Sequence, residues 1–441
     1  VNIMARQRQI TTTRLGRLTH FGRLAGGLIS GAVTEGTRQI VSGRRPSIGD
    51  VVLTPANARR MTQKLSEMRG AAMKVGQLLS MDNGQLISPE FSEILSRLRD
   101  DAHHMPLGQV AEVLGAAWGE NWDDQFERFV FTPLAAASIG QVHEAVLNDG
   151  RRVAVKVQYP GIRDSIDSDI DNVAGLLRMF KLLPAESDID SLLDEAKIQL
   201  HLEADYLREA GALKQFRQRV AGDDRYATPE VLDDLTTHDV LTMSYLDGMP
   251  IEWLEDRAED ERNLAAASLL ELCLREIFEW GLVQTDPNFA NYRYQPKSGT
   301  IELMDFGATR VYTTEQQASM RKLLQACVDG SGIDVADAAV AVGYLNGNDT
   351  PGYRDSIIKL LTTAIEPVRS REDYDFGKSD LASRMSDIVL DMRLKKRVGQ
   401  MPPVSILFLH RKIGGLYLLL SRLKSRLPVR ELVSYADIVP A

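Results

Sequence analysis

Cysteine is nearly absent: 441 residues contain only Cys273 and Cys327. Two distant cysteines build no disulfide scaffold, and neither sits in a Cys-x-x-Cys or Cys/His spacing that would hold zinc, so a reducing compartment is the natural setting. Long apolar runs are missing too. The nearest approach, Val404 to Leu420, is interrupted by His410, Arg411 and Lys412, and no bilayer-spanning helix is expected. Basic charge is in deficit, with 52 Lys and Arg against 61 Asp and Glu and a net charge of −9. A nucleic-acid binder needs the opposite balance, so that class of partner is excluded on electrostatic grounds. No apolar signal core opens the chain, so secretion is not expected.

What remains is length and pattern. A chain of 441 residues, 44% hydrophobic, is ample for two or three domains at roughly 150 residues each. Its charge is split. The first 45 residues hold eight arginines, no lysine and one acid, Glu35, a local charge of +7. Leu15, Leu18, Phe21, Leu24 and Leu28 fall near helical spacing among Arg14, Arg17 and Arg23, which suggests an amphipathic stretch that contacts anionic lipid. An arginine-rich, acid-poor start is also the composition of an organelle transit peptide. Glycines at 16, 22, 26, 27 and 31 weaken any helix there and favour a plain tail. The three readings stay open.

Helical texture runs from Pro55 to about Trp122, with Met61, Leu65, Met68, Ala72, Val75 and Leu79 on one face and a second helix through Phe91, Ile94, Leu95 and Leu98. Short alternating segments follow: Phe129–Thr132, Gln141–Leu147 and Arg152–Gln158, the last two joined by the turn Asn148-Asp149-Gly150. They predict a small antiparallel sheet. One long helix is expected from about Asp188 to Arg219, a strand at Val240–Tyr245, and a helix from about Asp260 to Trp280. Tyr292–Tyr294 and Thr300–Met304 read as a hairpin, and the rest is mainly helical.

The hairpin carries the strongest chemistry. Pairing its strands would bring Asn291 and Asp305 to one end, with Asp286 on the loop leading in. Hard oxygens so grouped suit Mg²⁺ together with substrate phosphates. Asp-Phe-Gly alone recurs by chance. Preceded by Asp-x4-Asn and a strand-turn-strand, it matches the catalytic and metal-binding loops of protein kinases. Lys156, in Val153-Ala154-Val155-Lys156-Val157, shares a strand face with Ala154, and a lysine among valines is costly to bury unless paired. An open sheet face would leave it merely exposed; a phosphate and a carboxylate would pair it. Glu203, Asp205 and Glu209 are the candidate carboxylates. Asp205 and Glu209 are four apart and share a face, with Glu203 offset. Where a kinase has a glycine-rich phosphate loop, this chain has Ala135, Ala136, Ala137 and Ser138, and alanines should stiffen it.

Taken together, the chain resembles the UbiB-like (AarF-domain) family of atypical kinases, over about Met61 to Leu427. The resemblance rests on Lys74-Val75-Gly76-Gln77 (the KxGQ signature), AAASIGQVHEA from Ala135, Lys156 in VAVKVQYPG, Glu203-Ala204-Asp205 (the ExD signature), QTDPNFANY from Gln284, and Asp305-Phe306-Gly307. The QTDPN variant and Leu409-His410-Arg411-Lys412 resemble the mitochondrial-type branch. The resemblance implies an α+β, two-lobed, protein-kinase-like fold with an N-terminal helical extension packed over the active site. Residues 1–55 would be the basic segment, 56–128 the extension, 129–246 the N-lobe and 247–441 the C-lobe. It implies ATP and Mg²⁺ as cofactors, Asn291 and Asp305 as metal ligands, Asp286 in the catalytic-base position, and Lys156 on the phosphates, paired with Glu209. Met243 and Tyr245 would lie near the adenine. Lys74 and Gln77 would come from the extension, with Lys74 meeting Glu203 and Asp205. On spacing alone, Lys74 reads as a solvent-facing helical lysine.

Gln284 stands where protein kinases have the histidine of His-Arg-Asp, Asn288 replaces the lysine two beyond the aspartate, and no Ala-Pro-Glu follows Asp305. A peptide kinase is therefore the weakest reading. An ATPase or small-molecule kinase supporting ubiquinone or another isoprenoid-lipid pathway is the leading one. A pseudokinase scaffold for a biosynthetic complex is the alternative. Implied partners are anionic membrane lipid and quinone-biosynthesis proteins, in the cytoplasm at a membrane or, in a eukaryote, the mitochondrial matrix.

Overall fold

A computed structural model describes residues 65–66, 68–81, 104–179, 190–329, 332–395 and 402–435. The basic segment 1–55 and the expected helix through Phe91 and Leu98 lie outside these residues. Two compact units emerge: described residues up to Ala210 with Val231–Tyr245, and Gly211–Glu230 with the residues from Leu246 onward.

The first unit is a twisted antiparallel sheet with helices. Strands β1 (Phe126–Phe129), β3 (Gly140–Leu147), β4 (Arg152–Gln158) and β5 (Val240–Ser244) pair in that order, and β2 (Ala135–Ala136) pairs with β3. Alternation decides the faces. Val153, Val155 and Val157 are buried against Val110 and Leu114 of helix α2 (Leu107–Trp118) and against Trp122 and Phe126. The opposite face of β4 carries Ala154 and Lys156, beside Met243 and Leu241 of β5 in register. The first strand lies about three residues earlier than expected, because a bulge between Phe126 and Arg128 breaks the period-2 signal while Trp122 packs edge-on to Phe129 at 5.3 Å.

Helix α1 (Arg69–Met81) buries Ala72, Val75 and Leu79 against helices α3 (Ile162–Met179) and α4 (Asp190–Glu203). The expected single long helix is two. α4 ends at Glu203 and α5 (Tyr206–Val220) begins after Asp205, whose Oδ1 accepts from Arg208 N at 3.1 Å. This is an aspartate N-cap, and it diverts the chain from continuing α4.

In the second unit, helix α6 (Glu259–Leu274) widens into a π-turn over Arg275–Trp280 where one α-helix is expected. Strand β6 (Leu282–Gln284) pairs with β9 (Thr309–Val311), and β7 (Tyr292–Gln295) with β8 (Thr300–Leu303) as the predicted hairpin. Helices α7 (Thr314–Asp329), α8 (Gly332–Val342), α9 (Pro351–Ala364), α10 (Leu381–Leu394) and α11 (Val404–Arg422) make up most of the rest. Cys273, Ile277, Val283, Val335, Ile406 and Leu409 share one core.

Contrary to the sequence expectation, α11 is by length and composition apolar enough to cross a membrane. Its middle, however, holds Arg411 and Lys412, each paired with a carboxylate of the same unit, and Phe408, Leu409, Leu419 and Leu420 are buried in protein. One face of α11 is thus seated on its own unit, while Ile413 and Leu418 are exposed and a third of its apolar window is buried.

Candidate active site

In the first unit, the β4 strand aims Lys156 away from the valine core. Its ammonium donates to both carboxylate oxygens of Glu209, one turn into α5, at 2.9 Å each, and lies 5.2 Å from the Tyr206 ring centroid. Side-chain exposures of 9% and 2% make this a buried ion pair. Such a pair adds little net stability over an apolar substitute, because desolvation offsets the attraction.

Lys74 is 4% exposed, so the solvent-facing reading of its spacing is wrong: α1 turns it inward. Its Nζ bonds Glu203 Oε1 and Gln199 Oε1, the latter at 3.4 Å. Asp205 does not meet Lys74 as the resemblance implied. Its carboxylate caps α5 and stands 3.8 Å from His238 Nδ1. The three acids thus divide the work: Glu203 holds Lys74, Asp205 shapes the helix break, and Glu209 holds Lys156.

The alanine loop is pinned rather than open. Ala135 and Ala136 pair with Val142 and Gln141, Ala137 N donates to Gly140 O at 2.8 Å, and Ser138 Oγ donates to Glu203 Oε2 at 3.1 Å. Helix α1 presses on this loop so closely that a Cβ on Gly70 would come within 2.9 Å of the Ser138 carbonyl oxygen. Gln77 is half-buried one turn after Lys74, and its side chain bonds to none of the described residues. Met243 is buried beside Ala154 on the Lys156 face, and the Tyr245 ring is covered by the Arg152 guanidinium at 4.1 Å.

In the second unit, β8 and β7 bring Asp305 and Asn291 to one end of the hairpin, where Met304 N donates to Asn291 O at 3.0 Å. Asn291 Nδ2 donates to Asp286 Oδ2 at 3.0 Å and to its carbonyl oxygen at 3.1 Å. Asp305 Oδ1 accepts from Gly307 N at 2.9 Å, and Phe306 is buried against Phe216 of α5 at 4.9 Å between centroids. The other oxygen of Asp286, Oδ1, takes the guanidinium of Arg411 from α11.

Beneath this loop lies a second buried pair. Lys412 Nζ contacts both oxygens of Glu276, at 3.0 and 2.9 Å, and the Tyr292 hydroxyl at 3.2 Å, while Glu276 Oε2 accepts from Gln284 N at 3.0 Å. Burial works against the Lys412 charge, but the Glu276 carboxylate and Tyr292 outweigh it and hold its pKa above the ordinary lysine value. Sequence reasoning passed over Arg411, Lys412 and Glu276 as site residues. The signal available was two cations in the middle of an apolar helix.

Among the described residues no three His, Cys, Asp or Glu side chains gather to hold a metal. Asn291 and Asp305 instead offer one amide and one carboxylate at a hairpin end. That donor set suits Mg²⁺, which keeps waters and substrate phosphates in its shell.

The comparisons agree with this geometry. Residues 97–338 match the ABC1 atypical kinase-like domain. Atypical kinase COQ8B, mitochondrial, of Rattus norvegicus is 37% identical over 430 residues, covering 97% of this chain and 81% of that protein. Atypical kinase COQ8, mitochondrial, of Saccharomyces cerevisiae is 36% identical over 416 residues, covering 94% and 83%. Rv3197 of Mycobacterium tuberculosis, solved with erythromycin, superposes with a TM-score of 0.57 at 24% identity, over 86% of this chain and 95% of that one, a likeness of fold. The chain belongs to the ABC1 family of atypical kinase-like proteins, the UbiB-like family that its motifs resemble.

Proposed function

We propose that this protein is a Mg²⁺-dependent, ATP-binding ATPase or small-molecule phosphotransferase that supports ubiquinone biosynthesis. The observation that carries the reading is the buried Lys156–Glu209 pair. A fold gains little stability from such a pair over apolar packing, so its retention on a sheet face argues for an anionic ligand. In this reading Lys156 holds nucleotide phosphates while Glu209 keeps the ammonium oriented, and the Met243 end of the face receives the adenine. Asn291 and Asp305 would hold Mg²⁺, which when bound neutralises charge on the phosphates. Asp286, held by Asn291, orients the attacking nucleophile.

Several features favour a small acceptor over a peptide. Gln284 and Asn288 replace peptide-kinase residues, and α1 packs on the alanine loop through Gly70 and Ser138. The family motifs support a division into residues 1–55, 56–128, 129–246 and 247–441, with Gly211–Glu230 grouped with the last of these. The mitochondrial names of the two relatives support the matrix as the compartment in a eukaryote, and the +7 front supports contact with anionic lipid.

The test is ATP turnover with Mg²⁺, with and without anionic vesicles and a quinone-precursor mimic. Turnover stimulated by vesicles is expected, with that stimulation lost on deleting residues 1–45. Nucleotide binding without turnover under any of these conditions would select the scaffold reading instead.

A further inference from the structure

Asn288 and Arg411 carry an inference that rests on the ATP-turnover reading. Two residues beyond Asp286, protein kinases keep a lysine beside the transferred phosphoryl group. Here Asn288 is exposed and uncharged, and its Oδ1 is spent accepting from Ala290 N at 3.1 Å, capping the turn Phe289–Asn291. A cation nonetheless reaches the place. Arg411, 16% exposed, lies on the Asp286 carboxylate from a helix 125 residues further along the chain.

Its position is built in. Lys412, the next residue, is locked to Glu276 and Tyr292. Gly415, one turn on and on the Arg411 face, allows Pro287 so close that an added Cβ would lie 2.1 Å from the proline Cβ. Arg422, three turns on along that face, covers the Phe289 ring at 5.5 Å. One helical stripe thus follows the loop from Asp286 to Phe289.

We propose that Arg411 is the cation of the transfer site, supplying from α11 the positive charge that Asn288 lacks. In hydrolysis the water oxygen bonds the γ-phosphorus, and the bond to the β,γ-bridging oxygen breaks with its electron pair left on ADP. The water proton passes to Asp286 and on to solvent. Charge develops on the γ-oxygens and the bridging oxygen, and a guanidinium fixed beside Asp286 stabilises it as an arginine supplied in cis does elsewhere. Asp286 can still take the proton, since an oxygen that accepts from Arg411 or Asn291 retains a further lone pair.

The experiment compares ATP turnover, Mg-ADP affinity and melting temperature for the full chain, Arg411→Ala, Arg411→Lys, Asn288→Lys and the double variant Arg411→Ala/Asn288→Lys. Arg411→Ala should lower kcat by about 10³-fold with Mg-ADP affinity held within about threefold, Arg411→Lys should fall between, and Asn288→Lys should restore kcat at least about tenfold in the alanine background. Wild-type kcat in Arg411→Ala overturns the proposal alone. So does a loss of kcat that tracks melting temperature and that Asn288→Lys leaves unrepaired, since a structural arginine is not replaced by a lysine on another element. Absence of turnover in the wild-type chain that binds Mg-ADP overturns the ATP-turnover reading and this proposal together.

Discussion

In the first unit the group we propose is offered to a ligand is a cation, Lys156, and the residue that holds it is an acid, Glu209, 53 positions away. In the second unit the group so proposed is an acid, Asp286, and the cation paired with it is Arg411, at a separation of 125. Each arrangement has a companion pair: Lys74 with Glu203 in the first, Lys412 with Glu276 in the second. The companions differ in kind. Lys74–Glu203 ties a helix to the alanine loop through Ser138, whereas Lys412–Glu276 lies fully buried, below the loop and away from solvent. Each charge proposed to act on a ligand thus has a partner of opposite sign, and a second ion pair lies in the same unit.

The largest effect should come from removing a side chain proposed to hold the metal. Asp305→Asn should cut Mg²⁺-dependent turnover by on the order of 10³, the equivalent of about 4 kcal/mol of charge stabilisation; an unchanged rate at saturating Mg²⁺ would sink the metal assignment. Next in size come the holders. Glu209→Gln and Glu276→Gln each strand a buried lysine, at a cost of about 3–5 kcal/mol, read as a drop in melting temperature. The comparison is sharpened by ligand: Mg-ADP should recover much of the loss in Glu209→Gln, because phosphates can pair Lys156, and little in Glu276→Gln, where Lys412 has only protein around it. Equal recovery in both would erase the distinction between offered and structural pairs.

That distinction also explains what could be read in advance. Lys156 was legible because strand alternation puts it opposite three buried valines, and the hairpin placed Asn291 with Asp305 by register alone. The division among Glu203, Asp205 and Glu209 was not, since it turns on a helix break made by one capping carboxylate inside a stretch whose composition is helical throughout. Arg411 and Lys412 were visible only as interruptions in an apolar run. Their partners are set by how α11 folds back on the Asp286–Asn291 loop, and no local periodicity encodes a contact across 125 positions.

Adjacent glycines give a smaller but cleaner probe of that fold-back. Gly414 and Gly415 sit side by side in α11; an added Cβ meets nothing within 4 Å at the first and lies 2.1 Å from Pro287 Cβ at the second. Gly414→Ala should raise stability by up to about 1 kcal/mol through helix propensity. Gly415→Ala gains the same propensity yet should lower stability by about 1–3 kcal/mol through overpacking. Shifts in denaturant midpoint of the same sign would mean that α11 is not seated on Pro287 as described.

The smallest effect tests whether a basic group in the first unit stays charged only when a carboxylate holds it. His143 is fully buried, with no such partner among the described residues. Its Nδ1 donates to Val130 O at 2.9 Å, and Nε2 faces Gln141 Nε2 at 2.8 Å, so the neutral ring is satisfied at both nitrogens and a second proton would point at an amide donor. Burial lowers its pKa below 6.5, with the Val130 carbonyl opposing and His104 adding to the shift. The sign follows directly. Between the depressed folded value and 6.5 the unfolded chain binds a proton that the folded chain refuses, so stability is complete above that window and falls as pH drops through it. The slope of unfolding free energy against pH just below 6.5 should therefore be shallower in His143→Asn than in the wild type, whatever the variant's offset in absolute stability. Parallel slopes would show that His143 takes up its proton in the folded chain as readily as in the unfolded one, so that burial does not hold its pKa below 6.5.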